Sequence, residues 1–408
     1  MSAFTAEVIR ASAIRARNVV WLSFGVLGLL SNAWVPRIPE IKQALHLTNS
    51  QFGTALIGGP AGAAIGAQIV GRLIHAYGSK WISRFCGLEM AIGIALLASA
   101  HSFIALMLAL FVQGIGYGGL DNALNTQAVA IENHLDRKYM SGFHGAWSVG
   151  ALVAVVVGGS LSRVITPHAN ILGVAIFAFI IFIPAIQFLL PNELDGHAGT
   201  GENTSNKVAL FERKTMILWA IGLALMGCLI PEAAASDWGG ILLHEHMGIA
   251  TGLDSTAFGA FGIAMIIGRF SGDHLMMKYG AERVVKIGGY VGGVVLGGAI
   301  ALAVPLSSWN STVALVIVDA GFVIAGLGIG PMVPAFISAT GKIPGIAPSV
   351  AIARVGIIGI FSYFIGPVVT GNLADLINLP VAMTFPCLVL IAAGFLSRTV
   401  RPSKSRAS

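Results

Sequence analysis

Six ionisable side chains, Glu89, Asp121, His144, Glu232, Asp319 and Arg354, interrupt otherwise apolar runs, and Asp237 stands at the edge of the run that holds Glu232. Taking such a group out of water is costly unless it is paired or changes its charge. Carboxylates and an imidazole in that setting therefore suit reversible protonation or the binding of a polar guest. Asp121 has the most telling surroundings. Gly114, Gly118, Asp121 and Asn125 are spaced four, three and four, which puts them on one helical face, with Asn122 and Gln127 nearby. Counting back from Ile131 at roughly 1.5 Å per residue places Asp121 about 15 Å deep. A carboxylate at that depth can take up and release a proton; the other reading is a structural partner for an Arg or a polar packing contact. Glu232 follows Pro231, where a helix loses a backbone hydrogen bond, and it is read as a binding or coupling residue. Asp237 and Trp238 lie one to two turns further on, as ligands or as a wetted cap. Asn32, beside Ser31 and just before Trp34, Pro36 and Arg37, could bond a polyol or amide, and Trp34 could stack on a sugar. Both also have structural readings, as helix glue and as an interfacial anchor. His144, flanked by Gly142 and Gly145, fits proton exchange and helix packing equally.

The elements that must hold these groups follow from composition. Of 408 residues, 56% are hydrophobic and only 10% charged, too few charges to cover a water-facing surface of that size. A soluble enzyme and a disordered chain are both excluded, which leaves a chain solvated mainly by lipid. The net charge of +6 is spread over loops and marks no nucleic-acid face. Cys86, Cys228 and Cys387 lie far apart in apolar runs and fit neither disulfides nor metal ligation. Windows of about 20 apolar residues number twelve. The first six are Asn18–Val35, Phe52–Leu73, Trp81–Ala100, Ile104–Ile131, Met140–Leu161 and Ile171–Leu190. The second six are Met216–Ala235, Ala257–Met276, Val284–Val304, Val313–Ile337, Ala347–Leu373 and Val381–Leu396. None alternates as barrel strands do, so helices are expected. The first window lacks a small-residue cleavage site and reads as an uncleaved span. With the N-terminus in the cytoplasm, 20 of the 24 Lys and Arg fall on cytoplasmic segments. Only Arg37, Lys42 and Arg163 fall outside, so both termini are expected in the cytoplasm.

The longest polar stretch, Pro191–Thr215, reads as a flexible cytoplasmic linker between an N-terminal half (1–190) and a C-terminal half (216–408). Tyr77-Gly78 after the second span is echoed by Tyr279-Gly280 after the eighth, 202 residues on, as expected of a duplication.

Twelve spans divided six and six, with a basic, glycine-bounded loop after spans two and eight, resemble the major facilitator superfamily. The loop Gly71-Arg72-Leu73-Ile74-His75-Ala76-Tyr77-Gly78-Ser79-Lys80 is similar to that family's signature, with His75 where the signature has an acid. The resemblance assigns Gly71, Gly78 and Lys80 to gating, and the change at His75 puts any charge relay through the acid in doubt. Phe143–Gly150, Pro231–Trp238 and Ile365–Gly371 look like segments of the MosC-like branch of bacterial inner-membrane proteins. Ala233 stands where that branch usually has Gly. The implied fold is all-α, twelve transmembrane helices in two six-helix halves, with spans one, four, seven and ten around a central cavity. Asp121, Glu232 and Asp319 fall on those spans.

The same residues set further expectations. Arg354 pairs with Asp121 to close the inner side, or snorkels. Glu89 is structural, and Arg269 and Asp273 form a local ion pair at the inner end of span eight. Gly114–Gly119 fits G-x-G-x-x-G but lies in a membrane helix with no preceding strand, so the dinucleotide reading fails. Gly58, Gly62 and Gly66 form a packing stripe. His244 and His246 lack a third metal ligand, and no Walker A pattern occurs. The expected function is proton-coupled secondary transport (symport) of a small polar, sugar-like solute by alternating access. The expected protein is an inner-membrane monomer with no cofactor, metal or nucleic-acid partner. Efflux of amphipathic compounds and a non-transporting sensor or assembly role stay open.

Overall fold

A computed structural model describes residues 6–137, 139–196, 216–343 and 348–401. Linker residues 197–215 lie outside the described residues. Thirteen long helices carry the fold: α1 (Ala6–Asn32), α2 (Gly58–Tyr77), α3 (Ser79–Ala98), α4 (Phe103–Leu135), α5 (Met140–Leu161) and α6 (Pro167–Ile186) precede the linker. After it come α7 (Met216–Asp237), α8 (Thr256–Tyr279), α9 (Ala281–Leu306), α10 (Ser311–Thr340), α11 (Pro348–Ile360), α12 (Ser362–Leu376) and α13 (Thr384–Phe395). The predicted eleventh span is the pair α11 and α12, interrupted at Phe361. A short helix, Asn49–Ala55, leads into α2.

Among the described residues, eleven segments are long and apolar enough to cross a bilayer. Helix α8, the remaining predicted span, is long enough at 24 residues, but its C-terminal half carries Arg269, Asp273, His274 and Lys278. The helices start where side chains satisfy the free N–H groups of a first turn. Ser102 accepts from Ala105 N at 3.2 Å, Thr166 from Ala169 N at 3.2 Å, and Asn310 from Val313 N at 3.0 Å. The echoed Tyr-Gly pairs are matching stops. Gly78 (φ 79°) and Gly280 (φ 82°) end α2 and α8, donating N–H to Ile74 O and Met276 O at 2.8 and 2.9 Å. Only glycine takes that backbone without strain.

The chain forms two compact units. One holds residues through Leu47 and from Thr54 into the linker; the other holds everything after the linker together with Thr48–Gly53. In the first, α2 and α3 pack on α4, α1 on α5 and α3 on α6. In the second, α8 and α9 pack on α10, α7 on α11 and α9 on α13. The second pattern is the first advanced by six spans. Small residues set the closest approaches. A Cβ on Gly62 would stand 2.0 Å from Phe111 O, and one on Gly118 2.1 Å from Ala63 O, so α2 and α4 touch backbone to backbone. Helices α8 and α10 repeat this at Gly326 and Gly330, where a Cβ would meet Phe261 O at 2.4 Å and Met265 O at 2.6 Å.

Candidate functional site

In the first unit Asp121 is half-buried on α4, and Asn125, one turn on, donates to its backbone oxygen at 2.8 Å and its Oδ2 at 3.1 Å. His144 of α5 acts electrostatically on Asp121, so two sequence-predicted residues from different spans come together. The His144 ring is exposed and lies 5.0 Å from that of Phe24 on α1. The polar face expected on α4 divides. Gly114 and Gly118 are buried against α2, while Asp121 and Asn125 keep partial exposure.

Three first-unit expectations need correction. Asn32 is buried and gives its amide to Gly28 O and Ser31 Oγ, both at 3.0 Å, within its own helix. Trp34 is only 6% exposed, leaving no open ring face for a sugar. Asn122 donates to Ala67 O of α2 at 3.1 Å, beneath Gly71, and acts as helix glue. The residues assigned to gating sit in a bonded corner. Lys80 Nζ donates to Gln187 O at 2.6 Å, and Asn192 packs over Gly78 while donating to Tyr77 O at 2.8 Å. Asp195, buried, accepts from Ser79 N at 2.8 Å and Ser79 Oγ at 2.6 Å. Gln127 bonds both Ser79 Oγ and Leu190. The first residues of the expected flexible linker are thus held to this unit, a correction that Gly and Asn content alone could not give. Glu89 packs beside Gly116 of α4, with its Oε2 buried and without a hydrogen bond.

In the second unit Glu232 is half-buried on α7, one residue after Pro231. Its Oε1 lies 3.9 Å from Arg269 Nη2 of α8, and its Oε2 is buried without a hydrogen bond. The expected Arg269–Asp273 pair is replaced by this one. Arg269 is not at the helix end: it precedes Tyr279 by ten residues, which at about 1.5 Å per residue is about 15 Å. Tyr363 of α12 stands in the electrostatic field of Glu232, Arg269 and Asp237, and its side chain reaches the surface of the unit. Asp237 accepts from Ser236 Oγ at 2.7 Å. Asp319 of α10 lies beside Thr256 of α8, with Oδ1 buried and unbonded. Arg354 is half-buried on α11.

A second cluster in this unit gathers two of the segments that carried the family resemblance. Trp238, 1% exposed, meets Phe52 edge to face at 5.4 Å. Its ring would touch a Cβ on Gly53 or Gly371, at 3.3 and 3.2 Å. A Cβ on Gly53 would stand 2.3 Å from Pro367 O, and one on Gly371 2.4 Å from Asn49 O. Asp375 accepts from the N–H groups of Asn49 and Ser50 at 2.9 and 2.8 Å. Cavities of about 550 and 400 Å³ also occur in this unit, with largely apolar linings that include Arg283 and His246 respectively. Neither is lined by Glu232, Arg269 or Asp319.

The description of the Major Facilitator Superfamily matches residues 20–348. The chain belongs to that superfamily. It is 28% identical over 380 residues to an uncharacterised MFS-type transporter of Yersinia pestis, covering 93% of this chain and 94% of that protein. It is 25% identical over 377 residues to the membrane protein MosC of Rhizobium meliloti, covering 92% and 87%. Among solved structures, a point mutant of the nucleoside transporter NupG superposes with a TM-score of 0.75 at 14% identity, covering 96% of this chain and 100% of that one. A bacterial homologue of the human lysosomal transporter Spinster gives 0.68 at 15% identity, covering 97% and 99%. This superfamily chain therefore has the twelve-helix, two-half membrane fold expected from its sequence.

Proposed function

We propose that this chain is a proton-coupled secondary transporter that moves a small polar solute by alternating access in the cell inner membrane, with both termini in the cytoplasm. The observation that carries this reading is the Glu232–Arg269 pair. A carboxylate with one unsatisfied buried oxygen, facing a guanidinium across 3.9 Å, is stabilised only partly in its charged form. A small change in its surroundings is enough to change its protonation. Asp121 of the first unit, on which His144 acts electrostatically, is the second candidate carrier.

The test uses vesicles from cells expressing the full chain, with a trapped pH dye. Hexoses, amino sugars, inositols and hexuronates are added one at a time. A transported solute should carry protons in and accumulate when the outside is acid. Glu232→Gln should exchange that solute without concentrating it. Undiminished pH-driven accumulation in Glu232→Gln would remove Glu232 as carrier.

One comparison favours a second reading. The chain is 24% identical over 213 residues, half its length, to the efflux pump DEP3 of Fusarium langsethiae. On that reading, cells lacking the protein become sensitive to amphipathic compounds while keeping every carbon source.

A further inference from the structure

Arg269 is placed for more than an internal ion pair. On α8, Ile263, Ile267, Phe270 and Met277 form an exposed apolar stripe, the face a lipid-solvated helix presents outward. Arg269 lies about a quarter-turn or more from that stripe, on the same face as Ile266 and Asp273, which borders the buried face of Ala264, Met265 and Gly268. Its side chain is 35% exposed, and its described ionic contact is Glu232 Oε1 at 3.9 Å. A guanidinium carries five N–H donors in a planar fork that matches a carboxylate through two parallel bonds near 2.8 Å. One contact at 3.9 Å leaves that capacity largely unused. Across from it, the Tyr363 phenol supplies a further hydroxyl in the same field.

We propose that Arg269 is the solute-binding residue of the second unit and that the solute carries a carboxylate, as a sugar acid or another hydroxy acid does. This rests on the reading of Glu232 as the proton carrier. With the site empty, Glu232 and Arg269 carry opposite charges and cancel. An arriving carboxylate takes the fork of Arg269 and would leave the pair with one negative charge in excess. One proton from water, taken up by the Glu232 carboxylate, restores neutrality while Arg269 stays protonated. One proton thus enters with each carboxylate; releasing the solute returns the uncompensated charge of Arg269 to Glu232, which then gives its proton up to water. The groups facing Glu232 are Cys228 of its own helix, Arg269 of α8 and Tyr363 of α12, with Asp237 one turn along. The other ionisable side chains on segments packed against α7 are Asp273, His274, Lys278 and Tyr279 of α8, Asp319 of α10, Arg354 of α11, Asp375 of α12, Cys387 of α13 and Arg398 beyond it.

The experiment measures binding to the purified full-length protein in detergent, by thermal shift and calorimetry. The probes are matched pairs: galacturonate with galactose, gluconate with glucitol, and two- to six-carbon hydroxy acids with their amides. At least one acid should bind while its neutral partner does not, and its affinity should fall about tenfold per pH unit on the alkaline side. Arg269→Gln should lose that binding. Arg269→Lys, which keeps the charge but not the fork, should retain it at least about tenfold weaker. Glu232→Gln should bind the acid with its pH dependence gone. The unliganded melting temperature and elution profile of each variant separate a binding loss from misfolding. A panel in which no acid outperforms its neutral partner overturns the proposal, as does unchanged acid binding by a folded Arg269→Gln. Proton-driven accumulation of a neutral sugar would overturn this inference and leave the coupling role of Glu232 standing, whereas acid binding without pH dependence would do the reverse.

Discussion

In the first unit the mid-span carboxylate, Asp121, is bonded to its own helix through Asn125, and its electrostatic neighbour is an exposed histidine. In the second, Glu232 has one oxygen without a partner and faces an arginine from another helix at 3.9 Å. The frames around them match, since α2 meets α4 and α8 meets α10 through glycines at backbone distance. A duplicated frame fixed by main-chain contacts leaves side chains in its interior free to diverge. The two carboxylates stand on non-equivalent spans, α4 and α7, and differ in kind: one is satisfied within its own helix, the other faces a second helix. A group of the second kind responds to relative helix movement, which is what coupling a proton to a conformational cycle requires.

The largest expected effect breaks the frame of the first unit. A Cβ on Gly28 would stand 2.0 Å from Trp147 O, and one on Gly150 1.9 Å from Gly25 O, so α1 and α5 cannot part without moving main chain. On α7 the nearest neighbour of a Cβ on the comparable Gly222 is the side chain of Ile358 of α11, at 2.7 Å. Gly28→Val should abolish the monodisperse species on size exclusion, a cost above about 3 kcal/mol. Gly222→Ala should fold, at about 1–3 kcal/mol, since a side chain rather than main chain gives way. Equal damage from both would deny that the α1–α5 contact is held more tightly than the α7–α11 contact.

Next in size is the contrast between the carboxylates. Glu232→Gln should lower pH-driven accumulation at least about tenfold, the equivalent of 1.4 kcal/mol, while Asp121→Asn, whose amide can still meet Asn125, should lower it less than about threefold. Vesicle uptake under an imposed pH step reads both. The reverse order would move the carrier to the first unit.

A smaller effect sharpens the comparison at the Trp238 cluster. Asp375 bonds two N–H groups at the start of Asn49–Ala55, a helix N-terminus that favours negative charge. Asp375→Asn should cost about 1–2 kcal/mol. Faster amide exchange at residues 49–53 should report it, with residues around Asp121 unchanged.

What the sequence made legible was the frame. Lipid as solvent forces helices about 20 residues long, so twelve apolar windows located the spans to within a few residues at most ends. The exceptions carry charge: α1 begins at Ala6 rather than Asn18 because Arg10, Arg15 and Arg17 extend the helix past its apolar part. The site was legible only where polarity was local. Asp121 with Asn125, and Glu232 after Pro231, stand out along one helix. The window ending at Met276 puts Arg269 near the inner end of its span, whereas α8 runs on to Tyr279, the stop that the Tyr279-Gly280 echo marks. Nothing along the chain points to Tyr363, whose meaning comes from three residues on two other helices. Asn32 and Trp34 show the opposite failure, since composition cannot tell a polar group facing a guest from one bonded to its own helix.

The smallest expected effect lies at the corner between α2 and α3. Asp195 accepts two hydrogen bonds from Ser79 and is 1% exposed, which marks it as important for that turn. The same corner is also held by Lys80 on Gln187 O, Asn192 on Tyr77 O and Gln127 on Leu190. In the second unit the matching turn at Gly280 leads into Ala281 and Glu282, and Glu282 pairs with Arg401 at an exposed position. Redundant contacts share the loss when one is weakened, so Asp195→Asn should cost no more than about 1 kcal/mol. Amide exchange should quicken at Ser79 and Lys80 and stay unchanged in the middle of α3. Faster exchange along the whole of α3 would make Asp195 a principal support of the first unit, one that the second unit does without.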